Sequence, residues 1–111
     1  MMSDLKFLKN YFSNLNKLIN NDTYLDDLIK VKSILTETHL NGKKTMIFGN
    51  GGSAAIASHF SVDMTKNAKV RCTNYNESDL LTCFSNDYGY ERWVEKAIEF
   101  YGDEGDSLIL I

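Results

Sequence analysis

The first third of the chain places its apolar residues with the period of an α-helix. Between residues 3 and 19 they recur every three or four positions, which puts them on one stripe: Leu5, Leu8, Phe12, Leu15, Leu18 and Ile19. The polar run from Asn20 to Thr23 interrupts the pattern, and Asp22 or Thr23 is suited to cap a second helix that ends at Asn41-Gly42. The second helix has a stripe of its own: Leu25, Leu28, Ile29, Val31 and Leu35. We therefore predict a helical hairpin over residues 1–42 that covers a sheet, contacts a partner chain, or does both.

From Lys43 onward, short apolar runs alternate with helical patterns. Thr45–Phe48 is typical of a buried parallel strand, and further strands are predicted at Lys69–Thr73 and Ser107–Ile111. One helix is predicted up to Lys66, and a second one ends before Asn86-Asp87. A third helix follows, with these residues on its buried side: Trp93, Val94, Ala97, Ile98 and Tyr101. Strands that alternate with helices predict an α/β fold with a parallel sheet over residues 43–111.

The composition of the chain argues against several classes of function. The 111 residues include 12 basic and 15 acidic ones, and a net charge of −3 argues against nucleic-acid binding through bulk electrostatics. No apolar run approaches the roughly 20 residues of a membrane-spanning helix, so no membrane partner is expected. The polar amino end does not resemble a secretory signal and predicts a cytoplasmic protein. Cys72 and Cys83 stand in no metal-ligand spacing, and both are interpreted as buried thiols.

A glycine-rich segment, Gly49-Asn50-Gly51-Gly52-Ser53, follows the first predicted strand. Glycines let the backbone turn tightly and approach a ligand, and the N-terminus of the next helix suits an anion or a sugar hydroxyl. Ligands of open α/β sheets bind here, beyond the carboxyl end of a strand, although a plain turn capped by Ser53 would give the same pattern. The spacing matches neither the dinucleotide fingerprint nor the phosphate loop of nucleotide hydrolases, so no nucleotide cofactor is expected.

His59 and Asp63 lie four positions apart on the predicted helix and therefore on one face. An imidazole and a carboxylate so placed can share a metal ion, or can act as acid and base in proton transfer. A simple surface hydrogen bond between the two side chains is the alternative. The adjacent stripe of Ile56, Phe60 and Met64 is predicted to be core.

Three motifs together resemble the sugar isomerase (SIS) domain family, and most of all its phosphoheptose isomerase branch. The motifs are Phe48-Gly49-Asn50-Gly51-Gly52-Ser53-Ala54-Ala55, then His59-Phe60-Ser61-Val62-Asp63, and then Ser85-Asn86-Asp87-Tyr88-Gly89-Tyr90. The order of elements fits over nearly the whole chain, including the helical hairpin. The resemblance implies a single SIS domain over residues 1–111, with a Rossmann-like three-layer fold. The chain resembles the N-terminal half or so of that domain, incomplete at its C-terminus.

The same resemblance implies a function, the isomerisation of sedoheptulose 7-phosphate to a heptose 7-phosphate through an enediol. It implies that the sugar phosphate is contacted by Asn50, Gly51, Gly52, Ser53 and Asp87, the last of which could instead cap a helix. His59 matches a metal-ligand position, often occupied by zinc in the family. Asp63 matches the proton-transferring position and is a second candidate ligand. A homo-oligomer, dimer or tetramer, built through the helices of residues 3–40, is also implied.

The sequence departs from the family pattern in two ways. Asp63 stands where the isomerases carry a glutamate, so its carboxylate lies ~1.5 Å further back, and a misplacement of about 1 Å can cost about a hundredfold in rate. The family's serine- and threonine-rich phosphate loop and a second catalytic histidine follow the strand that corresponds to Leu108–Ile111. We therefore expect a fragment of a longer isomerase, inactive or incomplete alone. The alternative is a non-catalytic SIS module that binds a phosphosugar or a protein partner.

Overall fold

The computed structural model describes residues 3–111 in two compact units, divided after Lys32. The helices are α1 (Asp4–Ile19), α2 (Leu25–Leu40), α3 (Gly52–Lys66), α4 (Ser78–Tyr88) and α5 (Trp93–Tyr101). The strands are β1 (Thr45–Phe48), β2 (Cys72–Asn74) and β3 (Ser107–Leu110). Short 3-10 turns at Asp22–Tyr24 and Tyr90–Arg92 lead into α2 and α5. Within residues 3–111, every helix is too short or too polar to cross a membrane.

The first unit contains α1 and the start of α2. The side chain of Ser3 caps α1 by accepting a hydrogen bond from the N–H of Lys6. The predicted cap at Asp22 or Thr23 is wrong, because Asn21 accepts from the Thr23 N–H at 3.0 Å and caps the 3-10 turn instead. The apolar stripe of α1 is exposed, and α1 has no buried residue.

The second unit is built on a three-stranded parallel sheet of order β2-β1-β3. Thr45 in β1 is in register with Cys72 on one side and with Ser107 on the other. All four residues of β1 are buried. This arrangement confirms the predicted parallel α/β fold and the positions of the first and last strands.

Side chains on β1 alternate between two helical layers. Met46 and Phe48 pack against α5 through Trp93 and Ala97, whereas Ile47 packs against α3 through Ala57. Helices therefore cover both faces of the sheet, and the predicted three-layer arrangement is confirmed.

The predicted strand at Lys69–Thr73 is displaced in the structure, where β2 covers Cys72–Asn74. Val70 donates its N–H to the carbonyl of Met64, so the chain is still closing the end of α3 at this point. Lys69 has a positive φ of 59°, which cannot continue a strand. Strand pairing therefore begins only after Arg71.

The predicted helix break at Asn86-Asp87 is also wrong, since α4 continues to Tyr88 and ends at Gly89. Asp87 therefore lies inside α4 and caps no helix, and its carboxylate accepts a hydrogen bond from Asn86 at 3.0 Å. Cys72 is buried as expected, and burial raises the pKa of its thiol to about 11.

Three other side chains predicted to be buried lie at the surface. Cys83 is exposed, and so is Ile56. Tyr101 is partly exposed, although its ring packs against Tyr75 with centroids 5.2 Å apart. Each of these residues lies on an amphipathic helix near the border of its buried face, where spacing alone does not fix exposure.

A buried ion cluster joins the amino ends of β1 and β3. Lys44 Nζ lies 2.6 Å from Asp106 Oδ2 and 2.8 Å from Asp103 Oδ2. The Asp106 side chain is only 4% exposed and also accepts hydrogen bonds from the backbone N–H groups of Lys44 and Asp103. Because these contacts hold the start of β3 against the start of β1, they fix the register of the two strands.

Protonation of this cluster is coupled to folding. Burial alone would lower the pKa of Lys44 and raise that of Asp106, but hydrogen bonds and charges within the cluster outweigh burial. The pKa of Lys44 is therefore raised from its ordinary value of 10.5, and that of Asp106 is lowered from 3.8. The lysine contribution to stability is lost as pH rises through the raised pKa, and the aspartate contribution is lost as pH falls through the lowered one.

Replacement of Asp106 by Asn should lower the free energy of unfolding by between about 2 and 4 kcal/mol, because it leaves a buried ammonium short of one partner. Asp103→Asn is the matched control, since the Asp103 side chain is 69% exposed and its loss should cost less than about 1 kcal/mol. Urea unfolding measured across pH checks both values. Asp106→Asn should also flatten the loss of stability below pH 4, and equal effects of the two substitutions would contradict the assignment.

The connection from β1 to α3 is unusually close at Gly49. A Cβ on this residue would lie 2.4 Å from the carbonyl oxygen of Ser53, which belongs to the backbone of α3. Only glycine therefore allows α3 to begin directly against the end of β1.

Gly49→Ala should destabilise the fold by about 2 kcal/mol, because strand and helix must separate to admit the methyl group. Gly52→Ala is the matched control: a Cβ there meets no atom within 4 Å, and alanine favours the helix. Thermal or urea unfolding distinguishes the two variants. Unchanged stability of Gly49→Ala would disprove the close packing.

Candidate functional site

The glycine loop forms a tight turn at the carboxyl end of β1. Ser53 donates its N–H to the carbonyl of Asn50 at 2.9 Å, and Gly51 has φ 53° and ψ −120°. These are the features of a type II′ turn, whose first central residue is normally glycine. Ser53 lies within the first turn of α3 and does not cap it; the cap position is Gly51, which has no side chain to accept a hydrogen bond.

The turn leaves backbone donors free at the start of α3. The N–H groups of Ala54 and Ala55 bond to the carbonyl of Gly51. Within residues 3–111, no backbone carbonyl accepts from the N–H groups of Gly51 or Gly52. Both N–H groups lie at the positive end of the α3 dipole, which suits a phosphate or another electron-rich oxygen.

A cleft of about 280 Å³ opens beside this loop, at the carboxyl ends of β1 and β3. Phe48, Trp93 and Leu110 contribute apolar walls, and Asn50 contributes a polar group at the edge. The chain leaves β1 towards β2 on one side and later returns to β3 on the other. The cleft therefore lies at the topological switch point, where open α/β sheets bind their ligands.

A hydrogen bond links the loop to the segment that follows α4. The hydroxyl of Tyr90 donates to Asn50 Oδ1 at 2.9 Å. Asp87 lies three residues before Tyr90, in the last turn of α4, and is exposed. The negative charge of Asp87, 3.6 Å from Cys83 Sγ, raises the pKa of that thiol. The structure thus brings the predicted residues Asn50 to Ser53 close to the segment that carries Asp87.

Sequence reasoning assigned no role to Tyr90. The one feature of the sequence that points to Tyr90 is its place in the Asn86-Asp87-Tyr88-Gly89-Tyr90 motif. Its contact with Asn50 leaves no local pattern, because the two residues are 40 positions apart.

His59 and Asp63 form a separate pair on α3. His59 Nε2 lies 3.4 Å from Asp63 Oδ2, and the side chains are 79% and 52% exposed. The other carboxylate oxygen of Asp63 accepts from Asn67 Nδ2 at 3.0 Å. The pair lines an open cavity of about 460 Å³ together with Ile56 and Phe60.

The structure does not place this pair in the cleft of the glycine loop. The ten residues from Ser53 to Asp63 extend about 15 Å along the axis of α3. Among the residues that the structure describes, no three His, Cys, Asp or Glu side chains converge as a metal site. The His59–Asp63 pair therefore offers two ligands, whereas a catalytic zinc site in proteins has three.

Comparison with known proteins identifies relatives of the chain. The phosphoheptose isomerase of Aliarcobacter butzleri is 36% identical in an alignment of 94 positions that covers 79% of this chain and 50% of the relative. That of Fusobacterium nucleatum is 33% identical in an alignment of 113 positions that covers 97% of this chain and 58% of the relative. The chain spans about half the length of the curated relatives that it matches. A scan against protein-family models gives no match.

Solved structures agree at the level of the fold. Phosphoheptose isomerases from Neisseria gonorrhoeae and Francisella tularensis superpose with TM-scores of 0.85 and 0.86 at 24% and 22% identity. The matches cover 97% and 98% of this chain and 60% of each neighbour. The resemblance expected from the three sequence motifs is confirmed. The chain is thus a homologue of the phosphoheptose isomerases, to which it corresponds over about half of their length.

Proposed function

We propose that the chain contributes the first ligand-binding loop and a proton-transferring carboxylate to an isomerase that converts sedoheptulose 7-phosphate to a heptose 7-phosphate. The observation that carries this proposal is the pair of free N–H groups at Gly51 and Gly52, at the switch point of the sheet. The relatives named phosphoheptose isomerase support the choice of substrate.

The glycine loop binds the sugar phosphate in this proposal. Gly51 and Gly52 donate their N–H groups to phosphate or hydroxyl oxygens, and Asn50 and Ser53 add side-chain hydrogen bonds. Asp87, exposed at the end of α4, accepts from a hydroxyl of the sugar chain. The apolar walls of the cleft exclude water from one side of the ligand.

The reaction moves protons between two neighbouring carbons. Asp63 removes a proton from C1 of the ketose, the electron pair of that bond forms the C1=C2 double bond, and the charge that develops on O2 is neutralised by a proton. In the second half, the O1 proton leaves as the C1 carbonyl forms, and C2 takes up a proton to give the aldose. These later transfers need a second acid–base group, which we assign to protein outside these 111 residues.

We also propose that His59 and Asp63 contribute to holding one divalent metal ion, zinc. Imidazole and carboxylate are both zinc ligands, and the two side chains share one face of α3. Two ligands fit such a site only in part, so the others must come from outside the described residues. A bound zinc would act there as a Lewis acid on the substrate oxygens.

We further propose a homo-oligomer, a dimer or tetramer, formed through α1 and α2. The support comes from α1, whose apolar stripe is exposed along its whole length, including Leu8 and Phe12. Apolar surface of this kind is stabilised when a second copy covers it.

One observation favours a second function, a non-catalytic module that binds a phosphosugar. Asp63 is shorter than the glutamate of the isomerases, and it lines a different cavity from the glycine loop. A chain with this geometry binds the ligand without transferring a proton.

Exchange of the C1 protons of sedoheptulose 7-phosphate in D2O tests the first half-reaction, because it requires removal of a proton from C1 but no proton transfer to C2. We expect slow exchange with the wild-type chain and none with Asp63→Asn. Asp63→Glu should accelerate exchange by up to about a hundredfold, since the longer side chain advances the carboxylate. Proton NMR of the sugar measures the rate.

The variants also separate the two functions. Exchange by Asp63→Asn at the wild-type rate would remove Asp63 from the mechanism. Thermal stabilisation by the sugar phosphate with no exchange, even by Asp63→Glu, would establish the binding module and refute the isomerase.

Phe12→Asp should shift the chain from oligomer to monomer, because it buries a carboxylate in the apolar contact. Ser13→Asp is the matched control, since it adds the same charge on the face of α1 that carries Lys6, Lys9 and Lys17. Light scattering coupled to size exclusion gives the mass. A monomeric wild-type chain, or equal masses for both variants, would refute the proposed interface.

A further inference from the structure

The hydrogen bond from Tyr90 to Asn50 joins two segments that contribute different parts of the cleft. Asn50 stands at the first position of the type II′ turn, and Tyr90 begins the 3-10 turn between α4 and α5. The donor–acceptor distance of 2.9 Å lies within the normal range for a hydrogen bond from a hydroxyl to an oxygen. Within residues 3–111, no other side chain makes a hydrogen bond to the side chain of Asn50.

Tyr90 is presented from a well-packed segment. Tyr88, at the end of α4, packs against Phe84 and Phe100, with ring centroids 5.9 and 6.4 Å apart. Trp93, three residues after Tyr90, is almost fully buried and contacts Phe48 at the end of β1. The segment that carries Tyr90 is therefore packed against the fold both before and after this residue, although the Tyr90 side chain is itself half exposed.

In the structure, the Asn50 carboxamide turns its oxygen towards Tyr90. Since Oδ1 is engaged by the Tyr90 hydroxyl, the planar amide must direct Nδ2 away from Tyr90. Asn50 then offers a donor to the cleft. The free N–H groups of Gly51 and Gly52 lie next to it in the same turn.

We propose that Tyr90 is a positioning residue, which holds the Asn50 carboxamide so that its amino group is presented to an oxygen of the bound sugar phosphate. This inference rests on the proposed function for the identity of the ligand, but the orientation of Asn50 stands without it. Tyr90 does not touch the reacting carbons. It acts by removing rotational freedom from Asn50 before the ligand arrives.

Two measurements on the 15N-labelled 111-residue chain test the inference. Relaxation of the Asn50 side-chain Nδ2 group should report a rigid carboxamide in the wild type and a mobile one in Tyr90→Phe. Titration with sedoheptulose 7-phosphate should give a dissociation constant about fivefold higher for Tyr90→Phe, the effect of losing one neutral hydrogen bond. Tyr88→Phe is the matched control, because its hydroxyl makes no hydrogen bond to any residue from 3 to 111 and its ring remains packed.

If Tyr90 only stabilised the fold, its replacement by Phe would change other measured quantities. It would alter the backbone amides of Gly51 and Gly52 and the unfolding midpoint, which the positioning role leaves unchanged because the ring remains in Tyr90→Phe. An Asn50 carboxamide as rigid in Tyr90→Phe as in the wild type would overturn the inference, and so would an equal effect of Tyr88→Phe.

The same experiment keeps the two proposals apart. If Tyr90→Phe releases the carboxamide but sedoheptulose 7-phosphate perturbs no resonance of the wild-type chain, the orienting role stands and the sugar-phosphate proposal fails. If the ligand binds with equal affinity to the wild type and Tyr90→Phe, the positioning role fails and the proposed function stands.

Discussion

The close contact between the end of β1 and the start of α3 is the constraint on which the rest of the second unit depends. β1 is buried on both faces and paired on both edges, so it has no freedom to shift. Gly49 lets α3 begin directly against it, which places the Asn50–Ser53 turn at the carboxyl edge of the sheet. A bulkier residue at Gly49 would push the turn, and the donors it presents, away from the cleft.

The amino and carboxyl ends of the sheet differ in their contacts. At the amino end, Lys44 and Asp106 form a buried ionic contact that fixes β3 against β1. At the carboxyl end, the N–H groups of Gly51 and Gly52 remain free, and an open cleft lies beside the ends of β1 and β3. A rigid amino end thus supports an accessible carboxyl end, which is the usual division in parallel sheets that bind small molecules.

Elements with strong local patterns could be predicted from the sequence. β1 is a short apolar run followed by glycine, and the loop after it carries the family motif, so the sequence predicts both elements. The four-residue spacing of His59 and Asp63 likewise predicts that the two side chains share one face of α3. The sequence predicts the start of β2 three residues too early, because Lys69 and Val70 look extended in sequence but complete the end of α3. Asn86-Asp87 looked like a break because these residues favour caps, yet their side chains bond to each other and α4 continues. The contact of Tyr90 with Asn50 could not be predicted, because it depends on how two segments 40 residues apart meet.

The proposed function depends on binding of a sugar phosphate by the glycine loop. A crystal structure of the chain soaked with sedoheptulose 7-phosphate tests this most directly. We expect ligand oxygens about 3 Å from the N–H groups of Gly51 and Gly52 and from Asn50 Nδ2. Ligand bound only elsewhere on the chain, with the loop N–H groups facing solvent, would contradict it.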